Sequence, residues 1–320
     1  MKRVAFAVLV LAALLGSARA VTIFVSNEQD NTISVIDGPS LVVTDTIPVG
    51  RRPRGIALSR DGKFLYVAVG DDNRVDVVDV AQRRVVDALP SGEDPELFAV
   101  HPDGNRLFVA NENNNLISVL DIGKKVVTAE VPVGVEPEGV AVSPDGKLVV
   151  ATSETTSMAH FIDASSLELV DNVLVDTRPR AAAFTPDSKF VWISSELRGT
   201  VTVLDAATRA EVAKVRFAPQ GVPRESIQAV GIVITPDGRK AFVALGPANR
   251  VAEVDAQSFK VVRYYVVGQR VWHTALSPDA KRLYTANGNS GDVTVIDVDA
   301  AQAVKTIKVG RSPWGVAVSP

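Results

Sequence analysis

The sequence predicts an all-β fold made of seven copies of one four-stranded antiparallel unit, and three observations support this. A block of Pro, a variable residue, a small residue and a short apolar run recurs along the chain and ends in a Ser-Pro-Asp-Gly-like turn. The aspartates of these turns follow one another at nearly constant intervals. The two ends of the chain carry complementary parts of a single unit.

The first twenty residues predict an export signal. Lys2 and Arg3 form a basic start, an apolar run extends from Val4 to Leu15, and Ala18-Arg19-Ala20 is a small-x-small cleavage site. The run is shorter than the ~20 residues that span a bilayer. We therefore expect cleavage after Ala20, a periplasmic or secreted protein, and no membrane span in the mature chain of residues 21–320.

The repeat itself is read from two series of aspartates. The turn aspartates are separated by 42, 42, 42, 50 and 42 residues, and a second series that ends Val-x-Val-Ile-Asp-like strands has the same intervals. The turn series is Asp61, Asp103, Asp145, Asp187, Asp237 and Asp279. A fixed period of this length is typical of repeat folds in which each unit is one supersecondary element.

Each unit contains four short apolar runs separated by turn residues. In one unit they are Phe98–Val100, Leu107–Ala110, Ile117–Leu120 and Val126–Val131. Pro, Asp and Gly are the residues that tight turns require, and runs that are apolar throughout predict sheets covered on both faces. Four strands in ~40–45 residues is the pattern of a β-propeller blade.

The chain ends give the number of blades. Residues 313–320 match the first strand of a unit and stop before its turn, whereas residues 21–27 match a second strand. The C-terminal strand is therefore predicted to complete the sheet begun by the three N-terminal strands, which closes a single-domain, seven-bladed β-propeller. An open solenoid is the alternative, but it needs polar capping repeats, and neither end is atypical.

The second-strand segments Leu65-Tyr-Val-Ala, Leu107-Phe-Val-Ala-Asn111 and Leu283-Tyr-Thr-Ala-Asn287 resemble the YVTN-type β-propeller repeat. The segments 23–37 and 271–278 are similar to exported propellers associated with PQQ-dependent alcohol catabolism. This resemblance implies a periplasmic accessory or binding role, with a quinoprotein dehydrogenase or a small molecule as partner. It supplies no catalytic motif.

Composition excludes several classes of function. The chain has no Cys, which rules out disulfides, iron–sulfur clusters, zinc–thiolate sites and a cysteine nucleophile. Its formal net charge is −3, and the basic signal segment makes the remainder more acidic, which disfavours nucleic acid as a partner. No nucleophile elbow, phosphate-binding Gly-rich loop or His-Glu-x-x-His motif is present.

We expect the Pro-led strand to be innermost, with the loop that enters it and the loop after the second strand on one face. At this end of the channel, which we call the mouth, ten residues are candidate ligand contacts. They are Arg54, Glu96, Glu138, Arg180, Trp272, His273 and Trp314 on the inner strands, and Glu112, Glu154 and Glu196 in the loops. The Trp rings would stack on a flat ligand and the arginines would hold carboxylates, a combination that suits PQQ.

These residues predict two alternative functions. A purely structural interpretation also stays open, in which the charged side chains pair with one another and the Trp rings fill space between blades. The first function is a non-catalytic binding propeller that serves a PQQ-dependent oxidation. The alternative is a lactonase-like hydrolase in which Glu96, Glu138 or His273 is the base and a divalent cation is bound. PQQ and calcium are the candidate cofactors, and the sequence requires neither. The binding function is the prediction, with no catalytic residue assigned.

The other two histidines are predicted to be structural. His101 replaces the Ser or Thr of a turn on the opposite face, and His160 occupies a third-strand position expected to point outward. The eight extra residues in the segment 217–228 form a loop on the mouth face. This loop suits a lid or partner contact, or a neutral insertion, because added loop length costs little free energy.

Overall fold

A computed structural model describes residues 21–319, so the predicted signal segment lies outside the described residues. Seven four-stranded antiparallel sheets account for the strands in this part of the chain. In six of them the strands follow one another in chain order from the innermost to the outermost. The seventh has the order β28-β1-β2-β3, which confirms the predicted closure.

The strands are named by blade, and blade 1 contains both chain ends. Blade 1 comprises β1 (Thr22–Asn27), β2 (Thr32–Asp37), β3 (Val42–Pro48) and β28 (Pro313–Val318). Blade 2 comprises β4 (Pro53–Leu58), β5 (Phe64–Val69), β6 (Arg74–Asp79) and β7 (Arg84–Pro90). Blade 3 comprises β8 (Pro95–Val100), β9 (Arg106–Asn111), β10 (Leu116–Asp121) and β11 (Val126–Pro132). Blade 4 comprises β12 (Pro137–Val142), β13 (Leu148–Ser153), β14 (Met158–Asp163) and β15 (Leu169–Leu174).

The remaining blades follow the same plan. Blade 5 comprises β16 (Pro179–Phe184), β17 (Phe190–Ser195), β18 (Thr200–Asp205) and β19 (Glu211–Arg216). Blade 6 comprises β20 (Ile232–Ile234), β21 (Lys240–Ala244), β22 (Arg250–Asp255) and β23 (Lys260–Val266). Blade 7 comprises β24 (Val271–Leu276), β25 (Arg282–Asn287), β26 (Asp292–Asp297) and β27 (Gln302–Lys308). Short 3₁₀ turns occupy Gly70–Asp72, Glu112–Asn114 and Arg224–Ser226. Among the described residues, no helix is long and apolar enough to cross a membrane.

The Pro-led strands are innermost, as predicted. Each contacts the equivalent strand of the next blade, from β4 around the ring to β28 and back to β4. The apolar side chains of the second and third strands are packed between neighbouring blades, so that Tyr66 of blade 2 and Phe98 of blade 3 share one cluster. Tyr284 of blade 7 and Ile23 of blade 1 share another, which holds the closure without a covalent link.

The closure is also fixed by backbone contacts between the chain ends. Phe24 pairs with Ala317 in the register of β1 and β28. The Ser319 amide donates to the Thr22 carbonyl at 2.8 Å, and the Thr22 amide donates to Ser319 Oγ at 2.8 Å. The free edge of the N-terminal sheet is therefore fully paired by the last strand.

The opposite face consists of the Asp-Gly turns, and it explains His101. In a typical turn Ser59 Oγ donates to Asp61 Oδ1 at 2.7 Å, and Gly62 has a φ of 66°. His101 takes the place of the serine, accepts from the Asp103 amide at Nδ1 and contacts the Gly146 carbonyl of the next blade through Nε2 at 2.9 Å. This histidine links two blades, which agrees with a structural role.

The prediction that His160 points outward was wrong. His160 is 3% exposed, and its Nε2 accepts a hydrogen bond from the Gly134 amide at 3.0 Å. Asp76 occupies the same position in blade 2 and accepts from the Gly50 amide at 2.7 Å. A buried polar side chain is needed here because the loop glycine would otherwise have an unpaired amide.

Candidate functional site

The mouth loops are held together by a repeated backbone hydrogen bond, which places them on one face as predicted. The residue after a second strand donates its amide to the carbonyl of the residue that precedes an inner strand. The bonds are Gly70 to Arg52 (3.1 Å), Glu112 to Asp94 (2.9 Å), Glu154 to Glu136 (2.9 Å), Glu196 to Arg178 (2.8 Å) and Gly288 to Arg270 (2.8 Å). Loop and inner-strand side chains from each of these blades therefore lie close together.

The residue before each of these inner strands has a left-handed backbone. Arg52, Asp94, Glu136, Arg178 and Arg270 have φ values of 56, 57, 58, 60 and 56°. Asparagine side chains from the preceding blade hold four of them. Thus Asn73 Oδ1 accepts from the Asp94 amide at 2.9 Å, and Asn249 Oδ1 accepts from the Arg270 amide at 2.9 Å. The turn directs charged side chains toward the mouth.

These pre-strand residues were missed in the sequence analysis. Four of them make ion pairs at the mouth, either with a predicted site residue or with each other: Arg52, Asp94, Arg178 and Arg270. The repeat alignment could have revealed them, because they all occupy one repeat position, two residues before Arg54 and its equivalents. A residue before a proline is normally extended, so local rules do not predict the left-handed backbone before Pro53, Pro95 and Pro179.

The inner-strand residues form a ring around the channel. Arg54 Nη1 contacts Glu96 Oε2 at 2.7 Å, and Arg180 Nη2 contacts Glu138 Oε1 at 2.9 Å. The Arg180 guanidinium lies 5.6 Å from the centroid of the Trp272 ring. Trp272 and Trp314 have centroids 6.5 Å apart, and the Arg54 guanidinium lies 5.7 Å from that of Trp314. Six predicted residues from six blades are thus brought together, and blade 6 contributes the buried Val230 instead.

One half of the mouth is formed by blades 1 to 3. Glu96 is 0% exposed and receives both Arg52 Nη1 (2.9 Å) and Arg54 Nη1 (2.7 Å). Arg54 also contacts Glu28 at 3.1 Å, and Arg52 pairs with Asp94. Carboxylate oxygens of Asp94, Glu96 and Glu112 all lie within 4.8 Å of one another.

The other half is formed by blades 4, 5 and 7, around Glu196. This loop carboxylate receives Arg178 Nε at 3.1 Å, Arg180 Nε at 3.7 Å and Arg270 Nη2 at 2.9 Å. Arg180 is buried and also pairs with Glu138 and Glu154. Glu154 is contacted a second time, by Arg178 Nε at 2.8 Å. The predicted loop glutamates Glu154 and Glu196 are therefore counter-ions of arginines.

Glu112 has the titration behaviour expected of a general base. Its burial, together with the adjacent charge of Glu96, raises its pKa to about 7. Glu112 as a whole is half-buried, so part of this residue faces solvent at the mouth. Burial also raises the pKa of Glu138, although Arg180 opposes this, and it raises the pKa of Glu154 against the same arginine.

His273 and the two tryptophans form the aromatic side of the ring. The His273 ring is 4.2 Å from that of Trp314, and burial together with Arg180 and Arg54 lowers its pKa to about 3. Its imidazole is therefore neutral at physiological pH. Trp314 is 1% exposed and is covered by His273 and Arg54. Trp272 lies against the Arg270 guanidinium, 4.2 Å from its ring centroid.

Within residues 21–319, one set of carboxylate donors could hold a divalent cation, at Asp94, Glu96 and Glu112. Oxygen donors suit calcium. However, Arg52 already pairs with Asp94 and Glu96, and Arg54 pairs with Glu96. A cation would have to displace these guanidinium groups, so the set fits calcium poorly and we derive no step through a metal.

The 217–228 segment is anchored rather than free. Phe217 and Ile227 are buried in the core between blades 5 and 6, and the Ala218 amide donates to Tyr264 Oη at 2.8 Å. Gln228 reaches the mouth, where its Oε1 accepts from Arg270 Nη1 at 2.8 Å. The segment thus supports Arg270, and its further role stays a prediction.

Two family models match parts of the chain. The model described as "Lactonase, 7-bladed beta-propeller" matches residues 172–311, and the model described as "YNCE-like beta-propeller" matches residues 5–101. No curated protein matches the sequence. The lactonase match includes Arg178, Arg180, Glu196, Arg270 and His273, whereas Glu112 lies outside both matched ranges.

Solved structures with similar folds cover nearly the whole chain. Hydrazine synthase from Kuenenia stuttgartiensis has a TM-score of 0.80 and 24% identity, over 87% of this chain and 92% of that one. A proposed 6-phosphogluconolactonase from Bacteroides uniformis has a TM-score of 0.78 and 17% identity, over 93% and 99%. Another, from Bacteroides fragilis, has a TM-score of 0.78 and 19% identity, over 95% and 99%. At these identities the likeness supports a shared fold only. The chain is a seven-bladed β-propeller, and its C-terminal part is similar to the lactonase propellers.

Proposed function

We propose that this protein hydrolyses lactones at the mouth of its channel, with Glu112 as the general base. The observation that carries the proposal is the raised pKa of about 7 at the half-buried carboxyl group of Glu112, beside the ion pair of Glu96 with Arg54. A base works best when its pKa is near the working pH, because it is then both available and strong enough to take a proton. Among the mouth groups, Glu112 combines this pKa with access to solvent.

The reaction needs only water and the side chains at the mouth. The Glu112 carboxylate takes a proton from a water molecule as its oxygen attacks the lactone carbonyl carbon. The negative charge that develops on the carbonyl oxygen is offset by the electric field of the Arg54 guanidinium, which acts on Glu112 in the same way while it stays paired with Glu96. When the carbon–oxygen ring bond breaks, the protonated Glu112 returns its proton to the ring oxygen, which gives a hydroxy acid.

The bases named from the sequence are less suited to this role. A His273 with a pKa of about 3 takes a proton only weakly near neutral pH. Glu138 is 2% exposed, and burial favours its protonated form. Glu96 is 0% exposed and its two oxygens are held by Arg52 and Arg54. Glu96 instead contributes to the raised pKa of Glu112 through its charge.

The comparisons support hydrolysis more than the non-catalytic role. The lactonase family model and the two proposed 6-phosphogluconolactonases point in this direction. A role in PQQ-dependent oxidation rests on the sequence resemblance and ranks second. A flat tricarboxylic ligand would have to displace the carboxylates from arginines that are already paired and to uncover Trp314. Export to the periplasm stays a prediction from residues 1–20.

The test measures the hydrolysis of a panel of γ- and δ-lactones, with the protons that the reaction releases as the signal. Glu112→Gln should lower kcat/KM by about 10²–10⁴-fold, the usual contribution of a general base. Glu136→Gln is the matched control, because Glu136 is a neighbouring half-buried loop glutamate that accepts from the Thr155 hydroxyl and, in the part of the chain that the structure describes, pairs with no arginine. The proposal is wrong if no lactone is hydrolysed, or if both variants keep the activity of the parent.

A further inference from the structure

Every arginine at the mouth is already neutralised by a carboxylate. Arg52 and Arg54 share Glu96, and Arg178, Arg180 and Arg270 share Glu196. Each of them except Arg270 contacts at least one further carboxylate. A guanidinium that is already paired has little remaining capacity to bind a phosphate or carboxylate group of a ligand.

Carboxyl groups also outnumber arginines at the mouth. Five arginines (Arg52, Arg54, Arg178, Arg180 and Arg270) face nine carboxyl groups: Glu28, Asp71, Asp94, Glu96, Glu112, Glu136, Glu138, Glu154 and Glu196. Protonation of Glu112 and Glu138 still leaves more acids than arginines. His273 adds no positive charge because its pKa is about 3. An anionic ligand would therefore meet a site of its own sign.

The space beside the aromatic side of the ring is lined mainly by uncharged polar groups. A cavity of about 470 Å³ lies between blades 7 and 1 and includes Gln29, Asn289, Ser290 and Ser312. Its single cation, Arg311, pairs with Asp30. Gly288, which lines the cavity, is packed against Trp272, since an added Cβ there would lie 2.6 Å from Trp272 Nε1. Amides, hydroxyls and carboxylates suit the hydroxyl groups of a neutral ligand.

From these three observations we infer, on the basis of the proposed function, that the substrate is an uncharged, hydroxylated lactone, such as a sugar lactone, rather than a phosphorylated one. Hydroxyl groups donate to the excess carboxylates, which an anionic substituent cannot do. Hydrolysis turns this neutral substrate into an anionic hydroxy acid. The same excess of acid then repels the product and speeds its release.

The experiment compares δ-gluconolactone with its 6-phosphate ester. We expect kcat/KM to be at least about tenfold higher for the neutral lactone at low salt, because two added negative charges meet a net negative site. Raising the ionic strength to about 0.5 M should narrow this ratio, since salt screens the repulsion. A preference for the phosphate ester overturns the inference and leaves lactone hydrolysis standing. Turnover of neither lactone, nor of any other in the panel, removes both.

A variant tests the cause of the preference. Glu196→Gln removes the charge shared by three arginines, so the ratio should move toward the phosphate ester by about tenfold. Glu136→Gln removes one charge from the same face without releasing an arginine, and should change the ratio much less. Thermal unfolding of both variants shows whether they are folded. An equal ratio of kcat/KM for the two lactones in the parent and in a folded Glu196→Gln variant would contradict the inference. If that variant does not fold, the salt dependence of the ratio in the parent tests the inference instead.

Discussion

The pH dependence of hydrolysis is the most direct consequence of the site. Because the pKa of Glu112 is about 7, kcat/KM should rise about tenfold between pH 6 and pH 8 and level off above this range. Part of the raised pKa comes from the charge of Glu96, which lies on the inner strand of the same blade. Replacing that charge is therefore expected to move the whole profile.

The size of the movement follows from the distance. Oxygens of Glu96 and Glu112 lie within 4.8 Å, and two unit charges at this separation interact by about 3.5 kcal/mol at the effective dielectric constant of a protein surface. Glu112 is accessible to solvent, which screens the interaction, so about 1.4 kcal/mol is a suitable value. This equals about one pKa unit. In Glu96→Gln the profile should shift from about 7 to about 6.

The assay is the initial rate of lactone hydrolysis from pH 5 to 9, corrected for spontaneous hydrolysis, in the parent and in Glu96→Gln. Asp45→Asn is the control, because Asp45 lies on the outer strand β3, far from the mouth. Its profile should coincide with that of the parent. An unshifted profile in an active Glu96→Gln variant, or a rate independent of pH in the parent, would refute the assignment of Glu112.

Three further predictions concern stability and metal dependence. Arg180→Gln should lower the free energy of unfolding by about 3–5 kcal/mol in urea titrations, because buried carboxylates lose their partner. Glu138→Gln should lower the free energy of unfolding by less than about 1 kcal/mol, since burial already favours the neutral form of Glu138. Equal losses of unfolding free energy in the Arg180→Gln and Glu138→Gln variants would contradict this account. Deletion of residues 313–320 should abolish cooperative thermal unfolding, because the sheet of blade 1 loses its innermost strand. A circular permutant that joins the two chain ends through a short Gly linker should keep the Tm within a few degrees. A stable truncated chain would show that closure by the last strand is dispensable. Lactone hydrolysis should change less than twofold on treatment with EDTA or addition of calcium, and a large loss on chelation would restore the metal-dependent alternative.

The sequence predicted the fold because each blade repeats the same local pattern. Turn aspartates, apolar strands and the matching chain ends are local features whose meaning does not depend on distant contacts. The same alignment correctly placed the loops on one face and brought Arg54, Glu96, Glu138, Arg180, Trp272 and Trp314 to one ring. His160 was placed wrongly because strand alternation alone does not show that a loop glycine needs a buried acceptor.

The chemistry at the mouth was decided by the tertiary structure. The left-handed turns that bring in Arg52, Arg178 and Arg270 are held by asparagines or loops of other segments. No local rule predicts these turns, and the proline that follows Arg52 and Arg178 disfavours them. The pKa of Glu112 depends on how deeply it lies and on its distance from Glu96, 16 residues away in the chain. Burial and charge pairing are properties of three-dimensional neighbours. The sequence by itself thus determined the ring and its inventory of charged residues, and only the folded structure decided which of them are paired and which remains available to act as a base.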